Sequence, residues 1–75
     1  MEKVKVYTSD TCPHCVTAKE YLKQNKVEFE EKNIKEAQNR KDLMAMGIMS
    51  VPLIVIGDEK ILGFDKQKID SLLGL

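Results

Sequence analysis

The run Val51-Pro52-Leu53-Ile54-Val55-Ile56-Gly57 constrains this chain most. It is short and almost continuously apolar. It therefore reads as a central strand buried on both faces, Leu53 to Ile56, stopped by Gly57-Asp58. Such a strand needs neighbours in a sheet and helices over both faces. Only 75 residues are present to supply them. A domain that small buries only about 60% of the surface its unfolded chain exposes. One domain over residues 1–75 is the expectation.

The neighbours are readable from their periodicity. Lys3 to Thr8 alternates, with Val4, Val6 and Thr8 against Lys3, Lys5 and Tyr7, and predicts a strand with its β-branched residues on one face. Pro13 suits the first turn of a helix, where its missing N–H is no loss. Val16, Ala18, Tyr21 and Leu22 then recur near helical spacing, predicting a helix over 13–24 that Asn25 ends. Lys26 to Ile34 alternates again, Val27 and Phe29 against Glu28 and Glu30, as a strand with one exposed face. Asn33 with Glu36 has the form of a capping box. It would start a helix carrying Ala37, Arg40, Lys41, Leu43, Met44 and Ala45 that stops at Gly47. After the turn at Gly57-Asp58-Glu59, residues 60–64 form a short partner strand. Asp65 can cap a last helix with the apolar stripe Ile69, Leu72 and Leu73. The order β-α-β-α-β-β-α predicts an α/β fold, a four-stranded mixed sheet flanked by three helices. A strand–helix–strand unit implies a parallel pair through a right-handed crossover, and the tight turn an antiparallel one.

Charge and length then exclude function classes. Lys+Arg and Asp+Glu both number 12, so the net charge is zero and neither nucleic acid nor an anionic membrane is an expected partner. No apolar run approaches the roughly 20 residues of a membrane span. The opening MEKVKVYTSD lacks the apolar core of a signal peptide. These features predict a cytoplasmic protein, and there a disulfide is more often transient and catalytic than structural.

Both cysteines lie in Cys12-Pro13-His14-Cys15, with the only histidine between them. A structural zinc site wants four ligands, and no second Cys or His pair exists to complete it. A disulfide closing so small a loop would restrict the unfolded chain little, because the entropic gain grows with loop length. A redox pair accounts for the surroundings better. A strand enters the motif and a helix leaves it, which puts Cys12 at a helix N-terminus, where unpaired N–H groups and the macrodipole favour an anion. The thiolate is the attacking species in thiol–disulfide exchange. Cys15, one turn on, can reach Cys12 and close a disulfide. Protonated His14 would add positive charge beside that thiolate; the plainer alternative is an exposed polar residue. Met44, Met46 and Met49 read either as core filler or as an adaptable apolar docking patch.

A lone C-x-x-C between strand and helix has the form of a thioredoxin-like redox motif. Together, VYTSDTCPHC, SVPLIVIGD and GFD fall in the order and spacing of the glutaredoxin family, and the chain resembles that family over essentially its whole length. The resemblance implies a thioredoxin-like fold and a thiol–disulfide oxidoreductase with Cys12 and Cys15 as catalytic residues and Pro13 and His14 as modulators. It implies that Val51-Pro52 is a cis-proline element whose free backbone groups bind a substrate cysteine. It further implies that Thr11, Val51, Pro52, Gly63, Phe64 and Asp65 hold substrate or glutathione. No tightly bound cofactor is expected, glutathione being a co-substrate at most. The implied partners are a disulfide-containing client protein and, as reductant, glutathione or a thioredoxin-reductase-like flavoprotein, acting on a monomer. The chain departs from the family at three places. Leu62-Gly63 replaces a glycine pair, Ser9 (followed by Asp10) stands where a lysine is common, and Ile48 and Met49 occupy a segment that often grips glutathione with a basic or amide residue. Gly63-Phe64 instead resembles the glutaredoxin-like electron donors of ribonucleotide reductase, which thioredoxin reductase reduces. A second function the family allows is an iron–sulfur cluster carrier, against which Pro13 argues.

Overall fold

A computed structural model describes residues 3–75; Met1 and Glu2, which open the stretch read above for a leader, lie outside them. The elements are β1 (Val4–Thr8), α1 (Pro13–Gln24), β2 (Glu30–Asn33), α2 (Ala37–Ala45), β3 (Leu53–Ile56), β4 (Glu59–Leu62) and α3 (Lys66–Leu73). The strands form one mixed sheet in the order β2-β1-β3-β4. β1 runs parallel to β2 with Lys5 opposite Glu30, and antiparallel to β3 with Val6 opposite Ile54. β3 and β4 form the antiparallel hairpin expected from the Gly57-Asp58 turn. The apolar run thus lies in an inner strand, as its composition requires.

Each face of the sheet carries its own core. On one face Val4 and Val6 of β1 meet Ala18 and Leu22 of α1, Ile54 and Ile56 of β3, Ile61 of β4 and Ile69 of α3, all buried. On the other, Tyr7 and Leu53 pack with Leu43 of α2, and Ile34, Met46, Ile48 and Val51 close around them. Tyr7 is therefore buried along with Val4, Val6 and Thr8. The alternation of β1 was expected to leave Lys3, Lys5 and Tyr7 on the less apolar face, yet α2 covers it at Tyr7.

Three boundaries differ from expectation. β2 begins at Glu30, because only residues from there on register against β1. Val27 and Phe29 still pack against the core, but from the segment before the strand. The capping box at Asn33 does not form. Asn33 is the last residue of β2, and its side-chain oxygen accepts from the Lys35 N–H at 2.9 Å, a turn that delays the helix. Glu36 holds the N-cap position with no side-chain cap bond. The partner strand runs from Glu59 to Leu62 and ends before Gly63.

Candidate active site

Cys12 holds the N-cap position of α1 and is in extended conformation (φ −108°, ψ 107°), with Pro13 opening the first turn. A helix leaves its first N–H groups without intrahelical partners. One of these, the Cys15 N–H, donates to Cys12 Sγ at 3.2 Å. The sulfur thus does the work a serine or aspartate oxygen usually does at this position. It is an acceptor held by a helix N-terminus, an arrangement that strengthens when the acceptor is an anion.

The second wall of the site comes from the segment before β3. The Val51–Pro52 bond is cis, as the resemblance implied. Cys12 S–H points at the Val51 carbonyl, with Sγ to O at 3.8 Å. Among the described residues the Val51 N–H donates no hydrogen bond, and so is free for another chain. The Pro52 carbonyl accepts from the Gly63 N–H at 2.8 Å, which ties the loop after β4 to the proline segment. Gly63 has φ +81°, a left-handed conformation that glycine adopts without steric conflict. Phe64 then meets Tyr21 of α1 edge to face, ring centroids 5.6 Å apart. Cys12, Val51, Pro52, Gly63 and Phe64 are thereby joined through three elements.

Cys15 is fully buried beneath Cys12, and both thiols are free. Burial pushes the Cys15 thiol above its ordinary value, and the Cys12 sulfur beside it adds to the rise. The Thr8 hydroxyl and the Ser9 backbone pull it partly back. The two cysteines are thus unlike in access, Cys12 half-buried at the surface and Cys15 enclosed.

The remaining expected residues divide. Thr11 and His14 are exposed, Thr11 in the turn before Cys12 and His14 in the first turn of α1. Asp65 is the N-cap of α3, its carboxylate accepting from the Lys68 N–H at 3.2 Å. The acid two positions before Cys12 faces away from the pair. Asp10 accepts from the Asn33 amide at 2.7 Å and pairs with Lys35 at 3.5 Å, and these two partners lower its pKa. The methionines split as well. Met46 packs into the second core, whereas Met44 and Met49 are exposed. A surface groove bounded by Val4, Val27, Phe29 and Leu72 lies at the far end of β1 from the cysteines.

Sequence reasoning read Asn33 only as a helix cap and Thr8 only as part of the β1 alternation, and it did not single out Lys35; Asn33 and Lys35 anchor the turn carrying Asp10. The signal for Thr8 was present, since the alternation of β1 puts a hydroxyl on the face of Val4 and Val6. Tyr21 was read only as part of an apolar stripe. It instead donates its hydroxyl to the Asp70 carboxylate, locking α1 to α3.

The glutaredoxin family model matches residues 4–61. The chain belongs to the glutaredoxin family. It is 36% identical to a glutaredoxin-like 8.6 kDa protein in the rubredoxin operon of Clostridium pasteurianum, over 93% of this chain and 96% of that one. It superposes on a glutaredoxin of Archaeoglobus fulgidus with a TM-score of 0.82 at 34% identity, covering 97% of this chain and 87% of that one. The NrdH-redoxin of Escherichia coli, a glutaredoxin-like protein with a thioredoxin-like activity profile, superposes with a TM-score of 0.84 at 25% identity over 93% of each chain. The glutaredoxin match ends before Gly63-Phe64-Asp65, so the placement of that loop beside the cysteines rests on the hydrogen bond from Gly63 to Pro52.

Proposed function

We propose that this glutaredoxin-family protein is a dithiol–disulfide oxidoreductase that reduces protein disulfides or glutathione mixed disulfides through Cys12 and Cys15. The carrying observation is the Cys15 N–H held on Cys12 Sγ at 3.2 Å at the start of α1. That donor stabilises the Cys12 thiolate, the attacking form. The thiolate displaces one client sulfur, which leaves with the electron pair and takes up a proton. Cys12 is then joined to the other client sulfur. Cys15 loses its proton and attacks Cys12 Sγ, releasing the second client thiol and leaving Cys12–Cys15 oxidised. Two electrons pass from the dithiol to the client. His14, between the two cysteines in the first turn of α1, is the proposed modulator of their reactivity. The Val51 N–H and carbonyl receive the client backbone as an added strand, and Thr11, Pro52, Gly63, Phe64 and Asp65 frame it.

The protein acts in the cytoplasm as a monomer, with no tightly bound cofactor and with neither nucleic acid nor membrane as partner. Its dithiol is restored by glutathione or by a thioredoxin-reductase-like flavoprotein. We favour the flavoprotein. Ile48 and Met49 offer no charged or amide group for glutathione, Asp65 is engaged as a cap, and the Escherichia coli relative has a thioredoxin-like activity profile. The test couples the oxidised protein separately to thioredoxin reductase and to glutathione with its reductase, following NADPH consumption. The flavoprotein should support the faster turnover. Faster turnover with glutathione would reverse the choice of reductant, and none with either would remove the oxidoreductase reading.

A further inference from the structure

Phe64 stands between two fixed points. The Gly63 N–H before it is tied to the Pro52 carbonyl at 2.8 Å, and Asp65 after it caps α3. Among the described residues no backbone hydrogen bond holds Phe64 itself. Its placement therefore falls to its ring. That ring is half-buried at the edge of the larger core and meets Tyr21 edge to face, centroids 5.6 Å apart. Tyr21 is held in turn at its far end. Its hydroxyl donates to the Asp70 carboxylate, whose other oxygen takes the Lys66 ammonium at 2.9 Å. The same ammonium lies 5.5 Å from the Tyr21 ring centroid, within reach of a cation–π contact. A leucine at position 21 would continue the apolar stripe of α1 with none of these contacts. Both rings line one surface pocket that extends to Val16, the residue after Cys15.

We infer that Tyr21 is a positioning residue for client binding: its ring, anchored by Asp70 and Lys66, holds Phe64 where the client backbone passes beside Val51 and Pro52. The inference rests on the dithiol reading above, in which Phe64 helps to frame the client. The path from Tyr21 to the reacting sulfur is continuous. Tyr21 sets the Phe64 ring, Phe64 follows Gly63, and Gly63 is bonded to Pro52. The Val51 carbonyl, next before Pro52, faces Cys12 Sγ. Tyr21 itself exchanges neither proton nor electron. Losing its ring should weaken capture of a polypeptide disulfide. Attack on a small disulfide should be untouched, because such a molecule has no backbone to align there. An edge-to-face pair is worth roughly two- to tenfold in an equilibrium constant. The half-saturating client concentration should rise by that factor.

The test reacts the reduced protein with excess insulin, and separately with hydroxyethyl disulfide, in a single turnover. Acid quenching, alkylation and intact mass report how much of the chain has closed Cys12–Cys15. In Tyr21→Leu the half-saturating insulin concentration should rise about two- to tenfold. The limiting rate and the rate with hydroxyethyl disulfide should keep their wild-type values. Tyr21→Phe retains the ring and should restore the wild-type half-saturating concentration. Tyr21→Met removes the ring with a more adaptable side chain and carries the test if leucine does not fit. Phe64→Leu should also raise the half-saturating concentration. Adding Tyr21→Leu to it should raise it no further, since the two rings act as one contact. Asp70→Asn leaves an acceptor for the Tyr21 hydroxyl, so it should bind insulin as the wild type does even where it melts lower. An unchanged half-saturating concentration in the ringless variants would overturn the inference. So would additive effects of Tyr21→Leu and Phe64→Leu, or a rise that merely tracks the loss of Tm across the variants. If the wild type closed its disulfide with neither reagent, the dithiol reading would fail instead.

Discussion

Cys12 combines two duties in one side chain. Its sulfur caps α1 by accepting the Cys15 N–H, and the same sulfur is the proposed nucleophile. Serine is a preferred N-cap and keeps an acceptor in that place. Cys12→Ser should therefore abolish disulfide reduction in an insulin assay while its Tm stays at or above that of the wild type. A large fall in Tm would show that the sulfur is needed for folding as well. The pair and its polarity were legible in the sequence, because a strand, a proline and a helical stripe around C-x-x-C leave few other arrangements. The partners of Asp10 were not, since Asn33 and Lys35 lie across the parallel β1–β2 pair and no local pattern announces them. Asp70 offers a second test at this scale. Lys66 first, then the Tyr21 hydroxyl, lower the pKa of its carboxyl. A carboxyl lowered on folding contributes stability above its unfolded value and loses it as pH falls through the folded one. Asp70→Asn should thus melt below the wild type at neutral pH, and the two should converge in acid. A difference that persisted unchanged below the folded value would show that packing, not charge, accounts for the loss.

Two helices end in the same motif with different residues at its critical position. After α1, the Lys26 N–H bonds the Lys23 carbonyl at 3.0 Å and the Val27 N–H bonds that of Leu22 at 2.9 Å. After α2, Gly47 bonds Met44 at 2.9 Å and Ile48 bonds Leu43 at 3.2 Å. Both are Schellman endings, and the apolar residue after each turn packs against the core cluster that holds the helix's own leucine. Gly47 has φ +74°, whereas Lys26 holds φ +58° with a side chain attached. A left-handed conformation at a non-glycine residue costs about 1–2 kcal/mol, partly offset by the greater freedom glycine has when unfolded. Lys26→Gly should stabilise the protein by a few tenths to about 1 kcal/mol in a urea titration. Destabilisation would mean that the lysine makes contacts worth more than the strain. Gly47 was readable as a stop, and α1 and β3 were readable to the residue. The end of α1 was not read as this motif, because a lysine carries no signal for positive φ. The start of β2 was likewise obscured. Val27 and Phe29 alternate with Glu28 and Glu30 whether or not they join the ladder, and only the register with β1 decides it.

At the scale of the whole molecule, a 75-residue chain divides its apolar side chains between two faces of a four-stranded sheet, so neither core has much to spare. Leu22 is fully buried at the centre of the larger core. Leu22→Ala should cost about 2–5 kcal/mol, a large share of the roughly 5–15 kcal/mol available to a domain. Met49→Ala, at an exposed position, should stay within about 0.5 kcal/mol in the same denaturation experiment. The same architecture delivers the cysteines to one end of the sheet, past the last residue of β1. β1 feeds the motif, α1 caps on Cys12, the segment before β3 sets Val51 opposite it, and Gly63 fastens the loop after β4 to Pro52. That assembly exposes one sulfur and encloses the other, and the division of labour between them is the central claim. Intact-mass analysis of the single-cysteine proteins after exposure to a disulfide-bearing peptide tests it directly. Cys15→Ser should carry one peptide adduct per chain, on Cys12, and Cys12→Ser should carry none. An adduct forming on Cys15 in Cys12→Ser at a comparable rate would contradict it.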